Sequence, residues 1–266
     1  MNHDLAFIGA GNMAEAIARA VIHKQIHSPD RLTAFDPVEA RRAVFASLGI
    51  HLASDNRSTA DDAATVLLCV KPQMMIPALA DLAGAVGPRH LVISIAAGIS
   101  TGFIESRLGE VRVIRAMPNT PMLAGLGATG ICRGRHASDD DLRTARRLFE
   151  SAGVVVDVDE PLMDAVTAVS GSGPAYFFYL VEHMISSATA LGLTVEQATT
   201  LVYQTAAGAA RMLQTSTELP QELRRRVTSP GGTTQAAIEH LQQHLVGQRI
   251  EEAIAAAQRR GRELGR

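Results

Sequence analysis

Near the start of the chain the apolar residues Leu5-Ala6-Phe7-Ile8 run into Gly9-Ala10-Gly11, and then into a stretch from Asn12 that keeps Ala14, Ile17, Ala18 and Val21 on one helical face. A buried strand, a glycine turn and a helix, in that order, leave few folds open. Gly9, Gly11 and Ala14 fit G-x-G-x-x-A: the first glycine makes a tight turn, the second lets backbone approach a pyrophosphate, and the small third residue packs helix against strand. The helix starting near Asn12 offers free N–H groups and a dipole end that favours phosphate. Glycine turns between strand and helix also occur without a ligand. This one follows an apolar strand and opens an amphipathic helix, and so reads as a dinucleotide clamp.

The rest of the first half repeats that alternation. Segments 66–70 and 91–95 are continuous apolar runs rich in branched residues, as expected of parallel strands covered on both faces. Segments 32–35, 111–115 and 154–158 also read as strands, with helices over 37–48 and from Ser138 to about 151. Residues 125–134 carry four glycines around Thr129 to Cys132 and are given no strand. Lys71-Pro72 and Ala96-Ala97-Gly98 follow two of the strands, where ligands of open α/β sheets bind, and are expected to wall the cofactor. Asp36 ends the second strand, close to where such folds place an acid that accepts from ribose hydroxyls; it also reads as a cap before Pro37, and both roles stay open.

Beyond Asp159 the strand patterns stop. The expected architecture is α/β: an N-terminal Rossmann-like, doubly wound dinucleotide-binding domain over 1–159, then an all-helical dimerisation and substrate domain over 160–266. Helices are read over 163–169, 175–191, 194–213 with a Thr194/Gln197 capping box, 220–227, from Thr233 or Thr234 onward, and over 250–264. The segment 175–191 is apolar almost all round, more than one small bundle hides, so at least a dimer is expected.

The balance of 25 basic against 27 acidic side chains gives a formal charge of −2, which offers no field for nucleic acid or an anionic membrane. A small-molecule substrate is expected instead. No apolar run approaches the roughly 20 residues of a membrane span, and the first residues lack a signal peptide's basic and apolar regions, so the expected location is the cytoplasm. Cys69 and Cys132 form no disulfide framework, and Cys69 sits in an apolar run as a reduced thiol.

Several constellations compete for a chemical role. His240 and His244 stand four apart on a helix but lack a third-ligand pattern, so no metal is expected. Arg224-Arg225-Arg226 reads as a solvated face, with phosphate or carboxylate binding left open. Ser170-Gly171-Ser172-Gly173 lacks the spacing of a nucleophile elbow. The loop Ser229-Pro230-Gly231-Gly232-Thr233-Thr234 is the informative one: glycines and threonines at a helix start suit a small anion such as a carboxylate, and an ordinary cap with glycine entry is the other reading.

Taken together, these stretches resemble the pyrroline-5-carboxylate reductases. The resemblance rests on Ile8, Gly9, Ala10, Gly11, Asn12 and Met13, on Val70-Lys71-Pro72, on Ser94 to Gly98, on Met117-Pro118-Asn119-Thr120-Pro121, on Val169 to Tyr176 and, most specifically, on Val227 to Thr234. It implies an enzyme that reduces the cyclic imine 1-pyrroline-5-carboxylate to L-proline with NADPH or NADH, the last step of proline biosynthesis. It also implies a homodimer, often assembled into a larger ring such as a decamer. By the same match Asn56, Cys69, Val70, Lys71, Pro72, Ala96 and Ala97 fall at cofactor positions, and Gly231 to Thr234, with Ser229 before them, at the substrate loop. Thr234 is then the proton donor or imine-nitrogen partner. The chain departs from the family at Asp36, where members commonly carry a small polar residue, and at Arg226, where some carry an amide. Asp36 points toward NADH, while Arg41 and Arg42 on the next helix are cations within swing of a phosphate. A hydroxy-acid dehydrogenase of the same architecture needs a Lys or His base at the start of the long helix, where this chain has Pro174-Ala175-Tyr176. A nucleotide sensor without chemistry has no use for an intact 229–234 loop.

Overall fold

The structure, a computed structural model, describes residues 2–264. Its first elements are β1 (His3–Ile8), α1 (Asn12–His23), β2 (Leu32–Phe35), α2 (Glu39–Ser47), β3 (His51–Leu52), α3 (Asn56–Asp61), β4 (Ala63–Leu68), α4 (Met75–Leu82), β5 (Leu91–Ser94), α5 (Thr101–Leu108), β6 (Arg112–Met117), β7 (Gly127–Arg133), α6 (Asp139–Glu150) and β8 (Gly153–Asp157). Helices follow: α7 (Met163–Val166), α8 (Gly173–Ala190), α9 (Val195–Thr215), α10 (Pro220–Arg226), α11 (Thr233–Gln243) and α12 (Val246–Leu264).

The strands form one 8-stranded sheet in the order β3-β2-β1-β4-β5-β6-β7-β8, parallel except where β7 runs against β6. The order reverses between β1 and β4, and at such a switch point a crevice opens beyond the strands' carboxyl ends. Register sets what lines it. Ile8 lies opposite both Phe35 and Leu68, and Leu68 opposite Ser94, so β2, β1, β4 and β5 end level. The residues that follow them therefore share one edge.

Alternation along β1 feeds a core on each face of the sheet. Leu5 and Phe7 pack with Ile17, Val21 and Phe45 on one side, where the Phe7 and Phe45 rings meet edge to face at 5.5 Å. Ala6 and Ile8 pack with Val66, Leu68, Met75, Leu79 and Leu82 on the other. Strands covered on both faces have no polar side to show, which is why they read as unbroken apolar runs.

The sequence reading missed β7 and β3. Strand β3 is too short to show periodicity. In β7 the glycines serve close packing: a Cβ on Gly130 would lie 2.6 Å from Val166 Cγ1, so glycine is required there despite its poor strand propensity. Helix α2 starts at Glu39 rather than at Pro37, α12 starts at Val246 rather than 250, and the 163–169 segment passes from α7 into a π-helical turn over Thr167–Gly171.

The chain forms two compact units, one reaching Ser172 and including the segment from Ala257 onward, the other spanning Gly173–Ala256. The first unit runs on through Ser172 because α7 and the π turn pack on the sheet: Val166 faces Gly130, and Asn119 Nδ2 donates to the Ser170 carbonyl at 3.1 Å. In the same unit Gly261 is buried beside Asp164, whose carboxylate also lies 3.9 Å from Arg262 Nε.

The second unit is helical. Helices α8 and α9 pack together, and the Thr194/Gln197 capping box forms as read. Among its described residues the buried apolar side chains are Ala198 and Val202, whereas Phe177 is 70% exposed and Phe178, Tyr179 and Leu180 are also open. So much bare aromatic and aliphatic surface marks an association face. No described helix is long and apolar enough to cross a membrane.

Candidate active site

The glycine turn is built as its spacing implies. Gly9 has φ +94°, a region that L side chains avoid, and a Cβ there would lie 3.2 Å from the backbone carbonyl carbon and oxygen of Cys69. Its N–H donates to the Phe35 carbonyl at 2.8 Å. Ile8 is buried in the sheet, and its carbonyl accepts from Cys69 N–H at 2.8 Å, so it shapes the turn from behind. Gly11 is different: its φ is −68° and a Cβ there would meet no protein atom within 4 Å. Neither backbone conformation nor packing requires a glycine, and the open approach fits a group that is not protein. Gly11 is the N-cap of α1 without a side-chain cap, and the N–H groups of Gly11, Asn12 and Met13 find no acceptor among the described residues. Ala14, fully buried, lets α1 lie close on β1.

Along the same edge follow Cys69, Val70, Lys71 and Pro72 beyond β4, and Ala96 and Ala97 beyond β5. Val70 is half-buried against Gly9, exposed Lys71 precedes the short turn Pro72–Met74, Ala96 is buried and Ala97 half-buried. Burial pushes the Cys69 thiol well above its ordinary pKa, so it is a packing group and not a nucleophile. Asn56 begins α3, and its side-chain amide donates to Asp81 on α4 at 2.9 Å.

Asp36 is more committed than either sequence reading allowed. Its Oδ2 accepts from Ala10 N–H at 2.8 Å and its Oδ1 from Val38 N–H at 2.9 Å. It therefore braces the glycine turn, while Pro37 stays outside α2, whose N-cap is Val38. Each carboxylate oxygen keeps a second lone pair for a hydroxyl donor. Arg41 and Arg42 are also engaged. Arg41 Nε donates to the Ala10 carbonyl at 2.6 Å and its Nη2 to Glu15 at 3.0 Å; Arg42 Nη1 donates to the Asp36 carbonyl at 2.6 Å. Sequence reasoning missed Glu15, although the Glu15/Arg19 spacing on a helix was a visible signal.

The 229–234 loop lies in the second compact unit, between α10 and α11. Gly231 has φ +69°, its N–H donates to Gln235 Oε1 at 2.7 Å, and Gly232 N–H donates to the Ser229 carbonyl at 3.0 Å. Gly232 is the N-cap of α11 and carries no side-chain cap. Two of the N–H groups expected from sequence to receive an anion are thus already used. The unengaged donors fall one step on, at Thr233, Thr234 and Gln235. Thr233 is exposed and Thr234 half-buried, and neither hydroxyl makes a hydrogen bond among the described residues.

Beside the loop a groove of about 590 Å³ is lined by Arg224, Arg225, Thr228, Pro230, Gln235 and Gln242, among others. Arg225 pairs with Glu222 at 2.7 Å and Arg226 with Glu218 at 2.6 Å, so two of the three arginines are tied within their own unit. The rings of His240 on α11 and His244 at its C-cap lie 4.4 Å apart, and no cluster of three or more His, Cys, Asp or Glu able to hold a metal occurs among the described residues.

Comparison with known proteins adds two family matches. The model described as "Pyrroline-5-carboxylate reductase dimerisation" matches residues 160–264, and that described as "NADP oxidoreductase coenzyme F420-dependent" matches residues 4–98. A pyrroline-5-carboxylate reductase of Pseudomonas aeruginosa is 43% identical over 98% of this chain and 96% of its own length. The solved pyrroline-5-carboxylate reductase of Coxiella burnetii superposes with a TM-score of 0.90 at 36% identity, covering 100% of both chains. The Plasmodium falciparum pyrroline carboxylate reductase, solved with NADP bound, gives 0.90 at 28% identity, covering 100% of this chain and 99% of that one.

Proposed function

The chain belongs to the pyrroline-5-carboxylate reductase family, and from that premise we propose how its residues carry the family's reaction. It is an NAD(P)H-dependent oxidoreductase of proline biosynthesis that reduces the cyclic imine 1-pyrroline-5-carboxylate to L-proline. When bound, the reduced nicotinamide supplies the hydride that adds to the imine carbon, and the ring nitrogen must gain a proton as the C=N π bond breaks. The N–H groups of Gly11, Asn12 and Met13 hold the pyrophosphate, where the helix end and its dipole favour negative charge. Asp36 accepts from the adenosine ribose, and Asn56, Cys69 to Pro72, Ala96 and Ala97 wall the cofactor.

The observation that carries the catalytic assignment is the start of α11, where the donors of Thr233, Thr234 and Gln235 stand unengaged beside a Thr234 hydroxyl that has no partner among the described residues. Those N–H groups hold the substrate carboxylate without introducing a base that would strip a proton from an iminium. Thr234 places its hydroxyl at the ring nitrogen and donates there. Ser229, Gly231 and Gly232 close the turn that presents these donors. Catalysis is then mainly positioning of two reactants, an effect of about 7 to 11 kcal/mol in favourable geometry. Loss of the near-ultraviolet absorbance of NADH or NADPH, dependent on added 1-pyrroline-5-carboxylate and matched by L-proline formed, tests the reading. Equal turnover of a 3-hydroxy acid would sink it.

We further propose that residues 1–159 and 160–266 act as the cofactor and the dimerisation and substrate domains; the dimerisation family match beginning at residue 160 supports that division. The bare face of α8 is the centre of a homodimer, which assembles further into a ring such as a decamer in the cytoplasm and binds neither nucleic acid nor membrane. Sedimentation of a folded, active monomer at micromolar concentration would overturn the dimer.

A further inference from the structure

We propose that Arg41, held by Glu15, is a positioning residue of the glycine turn: it locks the Ala10–Gly11 peptide so that the Gly11 N–H faces a dinucleotide's phosphates, and so serves NADH and NADPH alike. The inference rests on the reading that a nicotinamide cofactor binds at this turn. Its argument starts from Ala10, which is buried and gripped on both polar groups, the N–H by Asp36 Oδ2 at 2.8 Å and the carbonyl by Arg41 Nε at 2.6 Å. In a planar trans peptide the carbonyl of one residue and the N–H of the next point to opposite sides, and no cis bond occurs among the described residues. A donor fixed on the Ala10 carbonyl therefore directs the Gly11 N–H the other way, toward the side where Gly11 has no protein neighbour within 4 Å of a built Cβ.

The far arm of the same guanidinium is anchored. Arg41 Nη2 donates to Glu15 Oε2 at 3.0 Å, and Glu15 Oε1 takes Arg19 Nε at 2.9 Å. Arg41 and Glu15 are 25% and 20% exposed, so the pair is shielded more than an ordinary surface bridge. Burial works against the Glu15 charge, but the hydrogen bonds and charges of Arg19 and Arg41 outweigh it and hold the carboxyl below its usual range. One planar fork thus ties α2, the turn and α1, with Nε on a carbonyl and Nη2 on a carboxylate, a geometry that lysine cannot copy. The place of Arg41 near Asp36 suggests a 2′-phosphate ligand. Serving one would fall to Nη1, since Nε and Nη2 already hold Ala10 and Glu15.

The two roles predict different selectivities, and cofactor dissociation constants measured by nicotinamide fluorescence on the intact protein separate them. Arg41→Met is expected to weaken NADH and NADPH by the same factor, roughly tenfold, the scale of one charge-assisted hydrogen bond. Glu15→Gln shifts both in the same direction, and the double variant is no weaker than Arg41→Met, because the two residues act as one unit. Arg41→Lys keeps the charge and fails to restore affinity. Selective loss of NADPH overturns the proposal, since Arg41 would then hold the 2′-phosphate. Full recovery by Arg41→Lys overturns it too, as does a lowered Tm with both constants unchanged, which would mean a purely structural clamp. Wild-type protein that binds neither cofactor removes the underlying reading along with it.

Discussion

Replacing Thr234 by Val keeps the branched outline and deletes one hydroxyl, and the structure makes the outcome interpretable. That hydroxyl has no protein partner among the described residues and is only half-buried, so its removal orphans no buried donor or acceptor. The cost to folding should stay within about 0.5 kcal/mol, as for other substitutions clear of the core. Any larger effect on turnover then belongs to chemistry. If the hydroxyl contributes as an ordinary neutral hydrogen bond, up to about 1.5 kcal/mol is lost and kcat falls about tenfold. If it is a positioned transition-state donor, the loss approaches 2.7 to 4 kcal/mol, roughly 100- to 1,000-fold. We therefore expect kcat to fall by about 10- to 1,000-fold with cofactor affinity nearly unchanged, and the exposed Thr233→Val to cost less. The assay is steady-state oxidation of NADH and NADPH with 1-pyrroline-5-carboxylate, alongside thermal melts. Full activity in Thr234→Val would mean that the proton comes from water and that Thr234 only begins α11.

Asp36→Ser should raise the NADPH-to-NADH ratio of kcat/KM, because it removes a carboxylate that repels a 2′-phosphate and accepts from ribose hydroxyls; an unchanged ratio would leave Asp36 as a brace of Ala10 alone. Gly130→Ala should lower stability by about 1 to 3 kcal/mol in denaturant melts, since the added methyl meets Val166 at 2.6 Å in a packed layer. Phe177→Asp on the bare face of α8 should shift sedimentation toward monomer, and an unchanged oligomer would place the interface elsewhere. Alkylation at pH 8 should leave both cysteines intact in the folded protein. Desolvation raises the half-buried Cys69 thiol and pushes the buried Cys132 up to about 12, so at that pH each holds its proton and is a poor nucleophile; fast modification would contradict that desolvation.

What the sequence made legible is what local pattern and backbone geometry impose. Gly9 could be assigned from spacing because a turn with positive φ beneath Cys69 admits little else, and the apolar runs of β4 and β5 because cover on both faces leaves no polar side. The failures are cases where tertiary neighbours decide. Gly130 argues against a strand by its own propensity, and only Val166, distant in sequence, explains why it sits in one. At Asp36 the two roles read from sequence, ribose acceptor and cap before Pro37, omit a third: its carboxylate also takes the Ala10 N–H, a partner that periodicity does not reveal. The substrate loop shows the same limit most usefully. Glycines mark where backbone donors cluster but not which are spent, and here Gln235 reaches back to take the Gly231 N–H while the Ser229 carbonyl takes that of Gly232. The donors left over begin at Thr233, so in the proposed site Thr234 offers its backbone N–H to the carboxylate and its hydroxyl to the ring nitrogen. That double duty ties the orientation of the anion to the position of the hydroxyl. It also explains why a change to the Gln235 side chain, which fixes the turn through the Gly231 N–H, is expected to lower substrate affinity and kcat together in the reductase assay.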